Sequence, residues 1–308
     1  FENDGAADPS FSTNTLASPS NGPLKIHVVD VDKDGDLDVL NASGDDDKII
    51  WYENDGAADP SFTASTVTSS ADGAHDVYAE DIDSDGDIDI ISASYNDDKI
   101  IWYESNGAAD PSFTASTITS SADGAITVYA VDVDGDGDID VISGSQNDDK
   151  VAWYENDGAS DPSFTTRSIT TSADGVFTVF AVDVDRDGQM DILSASYHDD
   201  KIAWYENTTA APDTPTFTTE YVVDGSFNGA ISVYATDMDK DGDVDIVGAA
   251  YDGDDISWWE NDGTPNNASW TEYLVDGDFD GAASVYATDM DGDGDVDIVG
   301  AAYWGDDI

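Results

Sequence analysis

The sequence predicts an all-β fold, a six-bladed β-propeller of four-stranded antiparallel blades. Three observations lead to this prediction. One segment recurs six times along the 308 residues, each copy contains four short apolar stretches separated by turn residues, and no stretch has the 3.6-residue apolar period of a helix. We therefore expect a single domain that covers residues 1–308.

An acidic motif, Asp-x-Asp-x-Asp-Gly-x-x-Asp, marks each copy of the repeat. The motifs follow one another at intervals of 51, 51, 51, 54 and 52 residues, and they begin at Asp30, Asp81, Asp132, Asp183, Asp237 and Asp289. Four-stranded repeats of about 40–50 residues are typical of propeller blades.

Each copy is predicted to form four strands, two of them flanking the acidic motif. In the second copy these are Asp76–Ala79, Ile88–Ser94, Lys99–Tyr103 and Phe113–Thr119. The third strand is apolar on both alternating faces, which indicates a sheet packed between two others. A linear β-solenoid or a string of small domains is the alternative, but solenoid rungs are usually shorter and a lone acidic repeat would be marginally stable.

The two ends of the sequence favour closure of the ring. Phe1–Gly5 matches Tyr52–Gly56, and Ile308 matches Ile256, so we expect Phe11–Ala17 to be the N-terminal strand that closes the last blade. The alternative to a closed ring is that the chain is a fragment of a longer repeat array. Because the sequence starts without Met or a signal-like segment, we expect a mature or excised piece.

The acidic motif has the residue types of a calcium-binding loop. In the first copy Asp30, Asp32, Asp34 and Asp38 are expected to converge, and Gly35 permits a sharp bend after the third of them. Calcium takes six to eight oxygen ligands, whereas so many carboxylates in nine residues repel one another without a cation. The sequence therefore predicts Ca²⁺ as a structural cofactor, one ion per repeat and six in total.

The seventh position of the loop is Asp in five copies and Gln189 in the fourth, which suits a backbone carbonyl ligand. A helical EF-hand is not expected, because apolar strand residues follow the loop at once. The alternatives to a calcium site are a magnesium site and a solvated acidic hairpin that binds no metal. The predicted metal residues are Asp30, Asp32, Asp34, Asp36 and Asp38; Asp81, Asp83, Asp85, Asp87 and Asp89; Asp132, Asp134, Asp136, Asp138 and Asp140; Asp183, Asp185, Asp187, Gln189 and Asp191; Asp237, Asp239, Asp241, Asp243 and Asp245; and Asp289, Asp291, Asp293, Asp295 and Asp297.

The same motif, placed between the first two strands of each copy, resembles the FG-GAP/VCBS repeat family, to which integrin α-subunit head propellers are related. The resemblance covers nearly the whole chain. It implies calcium-stabilised blades in secreted or cell-surface proteins, with the first, third, fifth and ninth loop residues and the seventh carbonyl as ligands. Integrin-type propellers have seven blades, of which only some carry calcium, so the integrin function itself is not carried over.

The charge balance restricts the partners. With 69 Asp and Glu against 9 Lys and Arg, the formal net charge is −60, which excludes nucleic acid and disfavours an anionic membrane surface. No apolar run approaches the ~20 residues of a membrane span, so no membrane insertion is expected. Such acidity suits a salty extracellular medium, and we expect a secreted or cell-surface protein.

The loops opposite the acidic motifs differ most between copies. In the six copies the second strand is followed there by Gly44-Asp45, Tyr95-Asn96, Gln146-Asn147, Tyr197-His198, Tyr251-Asp252 and Tyr303-Trp304. Aromatic rings beside Asp and Asn suit the stacking and hydrogen bonding of sugars. The alternative is that these tyrosines only cover the ends of the blades.

The predicted function is a calcium-binding extracellular propeller that serves as a binding, adhesion or structural scaffold module. A lectin-like propeller and a polysaccharide-active enzyme are the alternatives, but no nucleophile–base motif accompanies His27, His75 and His198, so no enzyme is expected. The partner is expected to be an extracellular protein or glycan, or further copies of the chain. Glycosylation-type sequons begin at Asn41, in an expected strand, and at Asn207 and Asn267, in outer loops.

Overall fold

The computed structural model of the chain describes residues 2–3, 11–12, 15–16, 20–208, 215–267 and 270–304. The chain divides into two compact units. Unit 1 comprises Phe1–Thr15 and Ala173–Ile308, and unit 2 comprises Leu16–Ser172. The single domain over residues 1–308 stays a prediction.

The strands, numbered along the chain, form antiparallel sheets in both units. In unit 1 the first two strands pair as β1 (Glu2–Asn3) and β2 (Phe11–Ser12). Unit 2 holds three four-stranded sheets: β3 (Pro23–Val29), β4 (Asp38–Ser43), β5 (Lys48–Asn54) and β6 (Phe62–Thr68); β7 (Ala74–Glu80), β8 (Asp89–Ser94), β9 (Lys99–Ser105) and β10 (Phe113–Thr119); β11 (Ala125–Val131), β12 (Asp140–Ser145), β13 (Lys150–Asn156) and β14 (Phe164–Thr170).

The remaining strands belong to unit 1, where two four-stranded sheets are followed by a two-stranded one. They are β15 (Val176–Val182), β16 (Asp191–Ser196), β17 (Lys201–Asn207) and β18 (Phe217–Asp224); β19 (Ala230–Thr236), β20 (Asp245–Ala250), β21 (Asp255–Glu260) and β22 (Thr271–Asp276); β23 (Ala282–Thr288) and β24 (Asp297–Ala302). A 3₁₀ turn at Pro265–Asn267 is the one helical element among the described residues. The prediction of an all-β repeat fold is therefore confirmed.

Each full sheet is a meander in which neighbours in sequence are neighbours in space. Within unit 2 the first strands of consecutive sheets lie side by side, β3 next to β7 and β7 next to β11, and in unit 1 β15, β19 and β23 follow the same order. This arrangement is propeller-like. Phe11–Ser12 pairs with Glu2–Asn3, but Ala17 and Ile308 lie outside the described residues. Closure into six blades therefore stays a prediction.

The core of each unit lies between successive sheets. The third strand of each full sheet carries a fully buried tryptophan: Trp51, Trp102, Trp153, Trp204 and Trp259. The first four share one position in their strands, whereas Trp259 lies one residue further along. In unit 2 Trp102 packs with Ile91 of its own sheet and with Val128 of the next. Burial of one such side chain stabilises the fold by roughly 1.5–3 kcal/mol. Packing from both sides explains why these strands are apolar on both faces.

Side chains on the first strands also tie neighbouring sheets together. In unit 2 the rings of His27, Tyr78 and Tyr129 contact one another in sequence, tilted by 44° and 50°, with centroids 4.4 and 4.8 Å apart. The buried Asp76 carboxylate accepts a hydrogen bond from the Val128 amide of the next sheet at 3.0 Å. Burial lowers the pKa of His27, which favours the neutral ring in this packed position.

Candidate metal centre

The acidic loops connect the first and second strands of each sheet, and their backbone bends twice in the left-handed region. In the first loop Lys33 has a φ of 61° and Gly35 a φ of 101°. The sixth position has a φ of 92–101° in all six loops, and only glycine adopts this value without strain. The predicted bend after the third aspartate is therefore confirmed, and it folds the loop back on itself.

Hydrogen bonds within the loop orient the first three carboxylates. Asp30 accepts the Gly35 amide through Oδ2 at 3.0 Å, Asp32 accepts the Asp34 amide at 3.2 Å, and Asp34 accepts the Asp36 amide at 3.0 Å. Each carboxylate thus uses one oxygen to hold the loop. The second oxygen of each carboxylate is left for another partner.

The carboxylates of each acidic loop converge. In the first five loops, three carboxylates can each offer one oxygen such that all three atoms lie within 4.8 Å of one another. The first and third loop positions take part in every one of these clusters, joined by the fifth or the ninth position. The clusters are Asp30, Asp32 and Asp38; Asp81, Asp83 and Asp85; Asp132, Asp134 and Asp136; Asp183, Asp185 and Asp191; and Asp237, Asp239 and Asp241.

The donor atoms fit a hard cation. Four buried carboxylate oxygens in these clusters have no hydrogen-bond partner: Asp30 Oδ1, Asp81 Oδ1, Asp134 Oδ2 and Asp237 Oδ1. A buried carboxylate oxygen without a partner is costly, and several like charges within a few ångströms add to that cost. A divalent cation with oxygen ligands removes both costs at once, and an oxygen-only donor set is the one that calcium and magnesium prefer.

The ninth loop position has a second role that the motif did not reveal. Asp38, 1% exposed, accepts the Val31 amide at 3.1 Å through one oxygen and the Asn54 amide at 2.8 Å through the other. The same pair of bonds recurs at Asp89, Asp140, Asp191 and Asp245. This aspartate therefore fastens the acidic loop to the third strand, in addition to facing the metal cluster in loops 1 and 4.

Burial disfavours the ionised form of these ninth-position carboxylates. It raises the pKa of Asp89, Asp140 and Asp191 to about 7 and that of Asp245 to about 6, although the amide hydrogen bonds work in the opposite direction. At the third position burial likewise raises the pKa of Asp134 to about 6. A bound cation would favour the ionised form of each group.

The seventh-position side chain points away from the named clusters. A Cβ built on Gly56 would lie 2.0 Å from Asp36 Oδ2, and one built on Gly107 would lie 1.9 Å from an oxygen of Asp87. The carboxylate thus rests against a glycine in the loop between the third and fourth strands. That loop therefore lies beside the acidic loop. The seventh backbone carbonyl as a ligand stays a prediction.

The predicted sequons do not all offer a free amide. Asn41 is buried in β4 and its amide donates to the Lys25 carbonyl, in line with the expected strand. Asn207 ends β17 rather than lying in an outer loop, and its buried amide donates to the Met190 carbonyl, so the surface position expected for it was wrong. Residue 209 of the Asn207 sequon and residues 268–269 of the Asn267 sequon lie outside the described residues.

A family profile described as FG-GAP-like repeat matches residues 81–143, 132–194, 183–248 and 237–300. The chain belongs to the FG-GAP-like repeat family. The four matches together span residues 81–300 and contain the second to sixth acidic loops. The predicted resemblance is thereby confirmed for most of the chain.

Solved structures that resemble this FG-GAP-like repeat protein share its fold at low identity. A lectin of Agrocybe aegerita, described for its recognition of non-reducing terminal N-acetylglucosamine, is 20% identical with a TM-score of 0.57 over 90% of this chain and 74% of that one. The periplasmic gluconolactonase PpgL of Pseudomonas aeruginosa is 14% identical, with a TM-score of 0.56 over 87% and 71%. The V. cholerae biofilm matrix protein Bap1 is 17% identical, with a TM-score of 0.51 over 91% and 44%.

No curated protein matches the sequence of this FG-GAP-like repeat chain. Among its described residues, none of the helical segments has the length and apolarity needed to cross a membrane.

Proposed function

We propose that the chain is a calcium-stabilised, six-bladed propeller that acts outside the cell as a binding, adhesion or structural scaffold module, and that it is not an enzyme. The observation that carries this proposal is the set of buried carboxylate oxygens without partners at Asp30, Asp81, Asp134 and Asp237. They lie in four different acidic loops, three of them at the first position and one, Asp134, at the third, so the need for a cation is not confined to one site.

The energetics favour an extracellular setting. At a free calcium concentration 100 times the dissociation constant, each site adds about 2.7 kcal/mol to the free energy of unfolding. Several such sites together match or exceed the 5–15 kcal/mol of a typical domain. A fold with this dependence requires a medium in which calcium is plentiful, such as the outside of a cell, and a net charge of −60 keeps it soluble there.

Six blades and one domain are supported by the repeat itself. Six copies of the motif span the chain, and strands that are buried on both faces require a neighbouring sheet on each side. Closing a ring of blades supplies that neighbour to the first and the last copy alike.

A binding or scaffold role agrees with the likeness to a lectin and to a biofilm matrix protein, although these likenesses show the fold alone. A lactonase activity, which the PpgL neighbour raises, has less support in this chain. His27 packs against the Tyr78 ring, and His75 Nδ1 lies 2.9 Å from the Ile126 carbonyl oxygen, so both rings have structural roles. The partner proposed is an extracellular protein, a glycan or a second copy of the chain.

The test is thermal unfolding of metal-free protein, with calcium or magnesium added at constant ionic strength, together with equilibrium dialysis to count bound ions. We expect a large calcium-specific rise in Tm and a stoichiometry near six. An equal rise in Tm with magnesium would show that the sites bind divalent cations without selecting calcium. Identical melting curves under all three conditions would overturn the proposal and reduce the loops to solvated acidic turns.

A further inference from the structure

Five aromatic rings form a continuous row in unit 1, on the loops that follow each second strand. The centroids of Tyr197 and Tyr251 are 6.4 Å apart, and those of Tyr251 and Tyr303 are 5.9 Å apart. His198 and Trp304 each contact the tyrosine before them edge to face, at 5.2 and 4.7 Å. We refer to Tyr197, His198, Tyr251, Tyr303 and Trp304 as the aromatic row.

The backbone holds the aromatic row in place. The Tyr303 amide donates to the Gly281 carbonyl at 2.8 Å, and the Trp304 amide donates to the Asp280 carbonyl at 3.2 Å. The equivalent bonds are made by the amides of Tyr197 and His198. The Trp304 indole packs on Gly281, where an added Cβ would lie 2.6 Å from Cδ1. Rings that are fixed in advance lose little conformational entropy when a ligand binds.

Covering the blade ends explains only part of the row. The Tyr197 hydroxyl donates to Asp252 at 2.7 Å, as the Tyr95 hydroxyl of unit 2 donates to Asn147 at 3.1 Å, so these two tyrosines link one hairpin to the next. Tyr303 and Trp304 are 64% and 63% exposed. Two adjacent large rings that face solvent exceed what a structural link requires.

The surroundings of the row are acidic. The side chains of Asp252 and Asp280 are exposed beside it, and the basic residues of unit 1 are held in ion pairs with carboxylates: Arg186, Lys201 and Lys240. An anionic ligand would be repelled by this surface. A neutral pyranose complements it, because the apolar face of the sugar stacks on an aromatic ring while its hydroxyls donate to carboxylates.

We propose that the aromatic row binds a neutral glycan, with sugar rings on Tyr303 and Trp304 and sugar hydroxyls donating to Asp252 and Asp280. This inference rests on the proposed binding role and names its partner class. The equivalent loops of unit 2 carry Gly44, Tyr95 and Gln146, so they do not form such a row. The glycan site therefore belongs to unit 1.

The experiment is isothermal titration of the calcium-loaded chain with neutral hexasaccharides of β-1,4-linked glucose, α-1,4-linked glucose and β-1,4-linked N-acetylglucosamine, with polygalacturonate as an anionic control. We expect at least one neutral hexasaccharide to bind and polygalacturonate not to bind. Trp304→Ala should weaken binding by about tenfold or more. Trp304→Phe should keep most of the affinity. It should lose the change in tryptophan fluorescence that accompanies glycan binding, since five of the other indoles are fully buried.

Tyr95→Ala in unit 2 is the matched control and should leave the glycan affinity unchanged. Calcium-dependent melting of every variant shows whether the protein is folded, so failure of the glycan site is distinguishable from failure of the calcium proposal. Absence of binding to all neutral hexasaccharides by folded protein would overturn the inference, as would a Trp304→Ala affinity equal to that of the parent chain. Concentration-dependent self-association that Trp304→Ala abolishes would assign the row to a second copy of the chain instead.

Discussion

The Arg186 guanidinium of the fourth acidic loop lies 2.9 Å from the Asp243 carboxylate of the fifth loop. Arg186 is the fourth residue of its loop and Asp243 the seventh of the next. Lys240 reaches Asp295 at 2.6 Å in the same way, and in unit 2 Lys33 lies 3.8 Å from Asp87. Three of the nine basic residues of this chain thus bridge consecutive acidic loops, where they offset the repulsion between carboxylates.

Removing this bridge should make the chain more dependent on calcium. In Arg186→Ala the metal-free protein loses up to about 1 kcal/mol, because the pair is partly exposed, and the fifth loop attracts calcium more strongly once the nearby cation is gone. The calcium-induced rise in Tm should therefore be larger than in the parent chain, and the difference should shrink at high salt.

Lys99→Ala is the matched control for that bridge. It removes one positive charge from the Asp97 pair, on the turn between the second and third strands. Its calcium-induced rise in Tm should equal that of the parent chain. An equal increase in both variants would mean that total charge, rather than the bridge between loops, is responsible.

Neutralising a first-position carboxylate should have opposite effects with and without calcium. Asp81→Asn relieves repulsion in the metal-free second loop but removes one oxygen ligand, so it should stabilise the metal-free protein and destabilise the calcium-loaded one. Equilibrium dialysis should count one ion fewer. The control is Asp87→Asn, because that carboxylate rests against Gly107 outside the cluster. Loss of an ion in the control alone would contradict the assignment of the ligands.

Packing of the seventh carboxylate against a glycine predicts a steric conflict. In Gly107→Ala the new Cβ would lie 1.9 Å from an oxygen of Asp87, at a φ of 63°. We expect a loss of about 1–3 kcal/mol in denaturant unfolding. The double variant Gly107→Ala with Asp87→Ala should recover part of this loss in the free energy of unfolding. The part that is not recovered measures the backbone strain at position 107. Purely additive effects would show that the two residues do not interact.

The raised pKa values of the ninth aspartates predict a stability profile that calcium reverses. The folded-state pKa of Asp89, Asp140 and Asp191 is about 7, above the ordinary value of an unfolded Asp, so the fold favours the protonated form. Metal-free protein should therefore gain stability as the pH falls from 8 toward 4. With calcium present the carboxylates ionise to bind the ion, and stability should rise with pH instead.

Thermal unfolding across pH 4–8 of metal-free and calcium-loaded protein measures both profiles. The two curves are expected to converge at low pH, where protons displace the metal. Parallel curves would show that these aspartates do not respond to calcium.

Much of the fold could be predicted from local patterns. The second-copy strands were predicted to within two residues at every boundary, because turn residues such as Asn96 and Gly107 delimit each apolar run. The convergence of carboxylates from the first, third and fifth positions also follows from their spacing in the motif. The dual role of Asp38 could not be predicted in this way, since its bond to the Asn54 amide joins residues 16 positions apart.

The same limit applies to the partner of the seventh aspartate. Nothing in the acidic motif places Asp36 against Gly56. A comparison of copies offered one signal, since the fourth copy replaces both residues, with Gln189 and Thr209. Such a paired exchange is visible in sequence, but its meaning requires the contact.

The amino-acid sequence by itself determined the repeat, the all-β strands and the acidic loops of this protein, because hydrophobic alternation, turn residues and short-range ligand spacing are properties of neighbouring residues. Tertiary structure alone decided which oxygens remain free for a cation, which carboxylates are buried enough to resist ionisation, and which aromatic rings meet in a row. These features depend on burial and on contacts between distant segments, which arise only when one sheet packs against the next.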